Sequence, residues 1–211
     1  MAPEQAYEDR NVYLFDNLMS QILRPGIKEL YDYLVNETDF LTAPASTRFH
    51  GNHKGGLLAH SLNVYDCLMT MADSPTWERL LSKYTLDTFI ICGLLHDLCK
   101  TNMYKISYRN VKQYSKEGSR FDKDGYYDWV QVPYYTVDGY TAFPHSEHTI
   151  EILDRFILLE EYEKYAIRWH MGFTEPKEHW NNLKAAINKY PLVLALHEAD
   201  LEATYTKDKT E

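Results

Sequence analysis

An imidazole and a carboxylate stand side by side at the end of an apolar run, Phe89-Ile90-Ile91-Cys92-Gly93-Leu94-Leu95-His96-Asp97, with no turn residue between run and pair. A core helix gains nothing in packing from such a pair, because a buried carboxylate beside an imidazole is costly unless a further charge offsets it. A divalent cation held by both is the simplest offset, so His96 and Asp97 read as metal ligands. Helical spacing returns Lys100 to the same face, three residues from Asp97 and four from His96, where its ammonium can meet an anionic substrate. The competing reading is an Asp-His hydrogen bond at a helix end with a solvated lysine, and the rest of the chain decides between the two.

At 211 residues and 45% hydrophobic content, the chain suffices for one domain with a substantial core. A net charge of -9 and a pI near 5.5 leave no basic stripe, which argues against duplex nucleic acid as a partner and leaves a small anionic substrate open. Cys67, Cys92 and Cys99 are odd in number, form no CxxC and sit in apolar helical patterns, so they read as buried small hydrophobes in a reducing compartment. Met1-Ala2-Pro3-Glu4-Gln5 carries no basic leader region, and no apolar run approaches bilayer length. The expectation is a soluble, cytoplasmic protein with no membrane partner.

Along the chain, apolar spacing predicts two short helices between Val12 and Leu34, broken at Pro25-Gly26, to pack on the core as an N-terminal unit, residues 1–44. A turn-rich stretch delivers Arg48, His50 and His53 ahead of Gly55-Gly56, whose small size suggests a close backbone approach before a helix. That helix starts at Leu57 and carries His60. A short connecting helix, Trp77 to Tyr84, follows, with Thr85 or Asp87 as N-cap of the helix that ends in His96-Asp97. From Tyr104 the period changes to alternation, and Tyr104–Val111 and Tyr127–Val132 read as an inserted β-hairpin, about 103–137, around a polar loop at 116–125. Tyr134, Tyr135 and Tyr140, with Lys105, Arg109 and Lys112, either wall a pocket that stacks a base and meets phosphate or only fasten the hairpin to the helices. Helices are then expected from Pro144 or Ser146 through Ile157, from Glu160 to Met171, from Leu183 to Tyr190 and from Pro191 to Thr204, with a loop at 176–180. The charged end of the chain, 206–211, is expected to be mobile.

His60, His96, Asp97, His145, His170 and Asp200 thus fall on separate helices or their edges, apart from the adjacent pair. They can meet only if the helices bundle around one centre. In this ordered set the chain resembles the HD-domain superfamily of metal-dependent phosphohydrolases, whose signature is a histidine, an HD pair and a distant aspartate. The flanking text is similar as well: Gly55-Gly56-Leu57-Leu58-Ala59-His60-Ser61, Leu94-Leu95-His96-Asp97-Leu98-Cys99-Lys100, Phe143-Pro144-His145-Ser146-Glu147 and Ile167-Arg168-Trp169-His170-Met171-Gly172. The resemblance covers residues 45–205. It implies a mainly α, single-domain HD-type bundle, and two further histidines, as His145 and His170 supply, go with a pair of metals. Two departures restrict the substrate: Cys99-Lys100 stands where guanosine tetraphosphate hydrolases carry Glu-Asp, and no Gly-Tyr-Pro follows a downstream histidine as in cyclic-dinucleotide phosphodiesterases. His148, three residues from His145, is an alternative ligand.

The resemblance implies iron, manganese, zinc, nickel or cobalt, with Asp97 bridging two ions and activated water hydrolysing a phosphoester of a nucleotide or related small metabolite. Asp97 and Lys100 are then the catalytic candidates, and Lys100, Arg48, His50, Arg109 and Lys112 the candidates for binding substrate phosphate or protonating the leaving oxygen. Two alternatives keep the scaffold: a di-iron oxygenase, and a non-catalytic sensor or partner-binding module. The oligomeric state is not readable.

Overall fold

Thr85 caps the helix on which the fold is centred. Its hydroxyl accepts a hydrogen bond from the Thr88 amide at 3.4 Å, and α5 (Leu86–Leu95) then carries the apolar run. Every side chain from Thr88 to Leu95 is buried, so this helix is apolar on all sides and lies in the interior. The computed structural model describes residues 3–138 and 142–208; Tyr140 lies outside the described residues.

The other helices surround α5. Helix α3 (Gly56–Ala72) packs directly against it, and Gly93 sets the distance: a Cβ there would fall 2.7 Å from Tyr65 Cα, so only glycine permits the approach. Helix α9 (Pro191–Glu202) packs on α3 and on α7 (Glu161–Trp169), and α6 (His145–Asp154) lies beside α7. The N-terminal helices α1 (Pro3–Met19) and α2 (Ile27–Asn36) close one side, where Phe15 meets Tyr31 at 5.7 Å and Phe40 at 5.4 Å between ring centroids. One buried cluster runs from Phe15 through Leu94 to Ala203, so α1 and α2 pack on this chain's own core. A smaller cluster of Leu183, Ala186 and Val193 joins α8 (Trp180–Lys189) to α9.

Glu163, fully buried, ties these layers together. It receives Arg24 through both guanidinium nitrogens at 2.6 and 2.5 Å, accepts from the Thr88 hydroxyl at 2.8 Å and completes the capping box of α7. Removing Arg24 would strand a buried carboxylate, a loss of roughly 3–5 kcal/mol.

The hairpin is a three-stranded antiparallel sheet in the order β1-β3-β2, with β1 (Tyr104–Tyr114), β2 (Arg120–Asp122) and β3 (Gly125–Val137). The short β2 lies inside the stretch expected to be loop and pairs with β3 only as far as Tyr127. Beyond that point the outer edge of β3 is open, which is why Pro133 is tolerated within the strand: its missing N–H faces no neighbour. The sheet joins the helices through reciprocal hydrogen bonds between Asp39 and Asn102.

Several boundaries depart from expectation. Helix α1 begins well before Val12, because Glu, Gln and Ala favour helix without an apolar pattern. The connecting helix α4 is only Glu78–Leu81, α6 stops at Asp154, α7 stops at Trp169, and α8 starts at Trp180 after a short turn at Lys177–His179. The chain end differs most. Residues Ala203–Lys207 continue α9 as a wide helical turn, and Asp208 folds back onto α3, so residues 206–208 of the expected mobile tail pack on the domain, while 209–211 lie outside the described residues. Among the described residues no helix is long and apolar enough to cross a membrane.

Candidate metal centre

Two histidines owe their orientation to the same local device. His96 and His170 each follow the last residue of a helix, α5 and α7, and each ring turns back on the final turn. Nδ1–H of His96 donates to Gly93 O at 3.0 Å, and Nδ1–H of His170 donates to Ile167 O at 2.7 Å. Because a carbonyl only accepts, the proton must sit on Nδ1, which leaves Nε2 as the free electron pair. His60, in the second turn of α3, is held in the same sense, with Nδ1 2.6 Å from Asp208 Oδ2. All three rings are buried; Nε2 of His96 has no hydrogen-bond partner among the described residues, and Nε2 of His60 has only the Asp200 carboxylate near it. Buried polar atoms without a partner are uncommon, and a cation is one group that would satisfy the His96 nitrogen.

What these nitrogens face is Asp97. The carboxylate is 3% exposed, and its two oxygens sort the surrounding imidazoles into pairs. Oδ2 faces Nε2 of His60 at 3.8 Å and of His96 at 3.5 Å; Oδ1 faces Nε2 of His145 at 2.8 Å and of His170 at 3.5 Å. Asp200, on the inner face of α9, stands 3.2 Å from His60 Nε2 and groups with His96 and His170. All six residues expected as ligands therefore converge, from three helices, α3, α6 and α9, and the ends of two more, α5 and α7. His148 does not: it stacks on Phe143 at 6.1 Å between centroids and belongs to no group of neighbouring ligand atoms among the described residues.

Lys100 returns to Asp97 as its spacing implies, by way of a single 3₁₀ turn, Leu98–Lys100, and its ammonium sits 2.6 Å from Oδ2. Burial would push the Asp97 carboxyl up, but Lys100, His96, His145 and His170 hold it well below the usual carboxylate range. Burial would likewise lower the Lys100 ammonium, yet Asp97 holds it above its ordinary value. His60 and His96 separate: burial opposes charge on both, but Asp200 and Asp208 carry His60 up to about 9, while His96, next to His170 and His60, falls to about 4. Neutral His96 is thus ready to coordinate, and His60 holds a proton that a cation must displace.

His145 is the outlier. It opens α6, its side chain is 35% exposed, and its Nδ1 faces the Cys99 thiol at 3.1 Å. Burial and nearby Asp97 push that thiol up to about 12, so it stays protonated and donates to the ring. Cys99 is therefore more than the inert apolar residue the sequence suggests. Asp208 was missed altogether, although Asp200, Thr204 and Asp208 are spaced at one helical turn each, a signal that the helix face continues past Thr204.

The cluster opens into a cavity of about 610 Å³, whose walls add His50 and the apolar side chains of Phe49, Met171, Leu201 and Tyr205. The His50 ring lies tilted against His60, 4.9 Å between centroids, and burial, with His60 and Lys100, keeps it below the usual imidazole value. Of the expected substrate-binding residues only Lys100 and His50 line this cavity. Arg48 and Arg109 line a separate one of about 570 Å³ between the 47–52 loop and the sheet, together with Tyr134 and Tyr135. Lys112 points to neither; it pairs with Asp122 on its own sheet and covers the Tyr127 ring at 4.4 Å. Lys105 is engaged by Asp138 at 2.5 Å.

The residues present fit a cation: donors of the nitrogen and oxygen type suited to borderline divalent metals, far ring nitrogens held by protein groups, and the orphaned Nε2 of His96. No family model matches the chain, and neither the curated proteins nor the solved structures contain a match.

Proposed function

We propose that this chain is an HD-type, metal-dependent phosphohydrolase acting on a nucleotide or a related small phosphoester. The observation that carries the reading is the division of labour at Asp97, one oxygen toward His60 and His96 and the other toward His145 and His170. A single carboxylate so placed suits two cations, with Asp200 completing the set. Bound divalent ions of the iron, manganese, zinc, nickel or cobalt type would supply charge neutralisation for phosphoryl oxygens and a lowered pKa for water.

The chain's own residues supply the rest. Lys100 brings a permanent positive charge to the cavity floor, suited to a phosphoryl group. Neutral His50 offers a ring N–H to an oxygen of the substrate, and the apolar side chains of Phe49, Met171, Leu201 and Tyr205 suit an apolar or aromatic leaving group. Three free, buried thiols fit a reducing, cytoplasmic setting, and the net charge of -9 fits a small substrate better than duplex nucleic acid.

The test is an assay of the purified chain, loaded with manganese or iron, against nucleoside mono-, di- and triphosphates, cyclic nucleotides and a generic aryl phosphate. Release of phosphate or of a dephosphorylated product is expected from at least one. No turnover across that panel, or oxygen uptake by the iron-loaded protein instead, would overturn the reading.

A further inference from the structure

The second cavity, beside the sheet, carries charge that nothing in the fold uses. Arg48 and Arg109 both line it, both are exposed, and among the described residues neither is paired with a carboxylate. Other exposed cations, Arg79 and Lys83 among them, also lack an ion pair among the described residues, so what sets this place apart is two guanidiniums on one cavity. Acidic residues outnumber basic ones 31 to 22, and the other basic groove, between α7 and α8, has its cations engaged: Lys164 by Asp154, Arg168 by Glu147 and Glu175, Lys189 by Glu161. Two guanidiniums without a carboxylate partner, brought to one cavity, suit a ligand that brings its own negative charge.

The walls specify that ligand further. The Arg109 guanidinium lies over the Tyr134 ring at 5.3 Å, a cation–π contact that holds it at the cavity wall. Asn52 adds an amide, and Ile106 and Tyr135 add apolar and aromatic surface. At about 570 Å³ the space is within the range of small-molecule sites. The loop that presents Arg48 is itself fixed: Ser46 Oγ accepts from the Phe49 amide and donates to His50 O, both at 2.8 Å, and the Ala45 amide donates to Gly51 O at 2.9 Å. Gly56 rests on Gly51, where a Cβ would come within 2.0 Å of the Gly51 carbonyl. Arg48 is therefore offered from a preformed turn rather than a free strand of chain.

We propose that this cavity is a binding site for a nucleotide-class ligand, separate from the metal centre, with phosphate held by Arg48 and Arg109 and a planar ring against the tyrosine wall. Arg48, Phe49 and His50 are consecutive, and the last two line the metal cavity, so a ligand here touches the same turn that walls the centre. The inference stands independently of the hydrolase reading, because it requires no metal.

The test is calorimetric titration of the chelator-treated full chain with AMP, adenosine and inorganic phosphate, on wild type and on the double variant R48A/R109A. AMP is expected to bind wild type more tightly than either fragment, and at least tenfold more weakly to the double variant, while manganese uptake on reloading is unchanged. Equal AMP affinity in the two proteins, or no AMP binding by wild type at millimolar concentration, would overturn the site. Equal affinity for AMP and inorganic phosphate would overturn the contact with the ring.

Discussion

Two cavities share the wall formed by residues 47–52, and they solve the problem of charge in opposite ways. Around Asp97 the charges are buried and answered: the Lys100 ammonium on Oδ2 and Asp208 behind His60, with the His145 ring on Oδ1. Beside the sheet the guanidiniums of Arg48 and Arg109 are open to solvent and unanswered by any carboxylate among the described residues. Burial makes the first arrangement unforgiving, since an unpaired charge in the interior costs several kcal/mol, whereas an exposed cation costs almost nothing. The first centre should therefore couple to stability and the second should not.

The largest effect is expected at Asp97. Asp97→Ala leaves the Lys100 ammonium without its partner and removes the carboxylate common to both imidazole pairs. It should abolish hydrolysis and bound metal together and lower the unfolding free energy by roughly 3–5 kcal/mol, read by elemental analysis and denaturant titration. Retained metal and activity in a folded variant would remove the distinction between the two cavities.

Next comes pH. In the folded, metal-free chain the His60 imidazole is raised to about 9, above its ordinary 6.5. A raised folded-state value means that the contribution is fully present below about pH 6.5 and is lost as pH rises through about 9, a decline on the order of 3 kcal/mol. Denaturant midpoints of chelator-treated protein at about pH 6 and pH 9.5 should show it, and metal affinity should rise over the same window as the proton is displaced. A midpoint that is flat or rises with pH would contradict the placement of Asp200 and Asp208 on His60.

Asp208→Asn should weaken metal binding by roughly 10–100-fold, the usual effect of losing a carboxylate that orients a ligating histidine, with the melting temperature of the metal-free chain moving far less than in Asp97→Ala. Unchanged affinity in a metal titration would return Asp208 to a purely structural part. The smallest effect belongs to the second cavity: R48A/R109A should shift stability by no more than about 0.5 kcal/mol in either direction, and a larger loss would show that these arginines are part of the fold.

What the sequence disclosed follows the same division. Asp97 and the five residues expected to meet it were legible in two ways: the HD pair because its chemistry is out of place at the end of an apolar run, and the rest through the ordered set that resembles the HD-domain signature. The cap, left between Thr85 and Asp87 and taken by Thr85, and the hairpin insertion were legible from local pattern. Asp208 was not, since a charged residue near a chain end reads as solvated, and only the wide turn at Ala203–Lys207 brings it back to His60. Nor was the destination of Arg48, Arg109 and Lys112, because strand alternation tells which residues share a face but not which cavity the sheet borders. Lys112 shows the limit: it shares β1 with Arg109, yet register sets it opposite Trp129, and it is spent on Asp122.

The central claim is that one carboxylate organises two imidazole pairs around bound cations. Anomalous diffraction from crystals grown with manganese tests it directly. Density is expected beside Asp97, one peak on the side of His60, His96 and Asp200 and a second on the side of His145 and His170. Peaks elsewhere, or none beside Asp97, would contradict it.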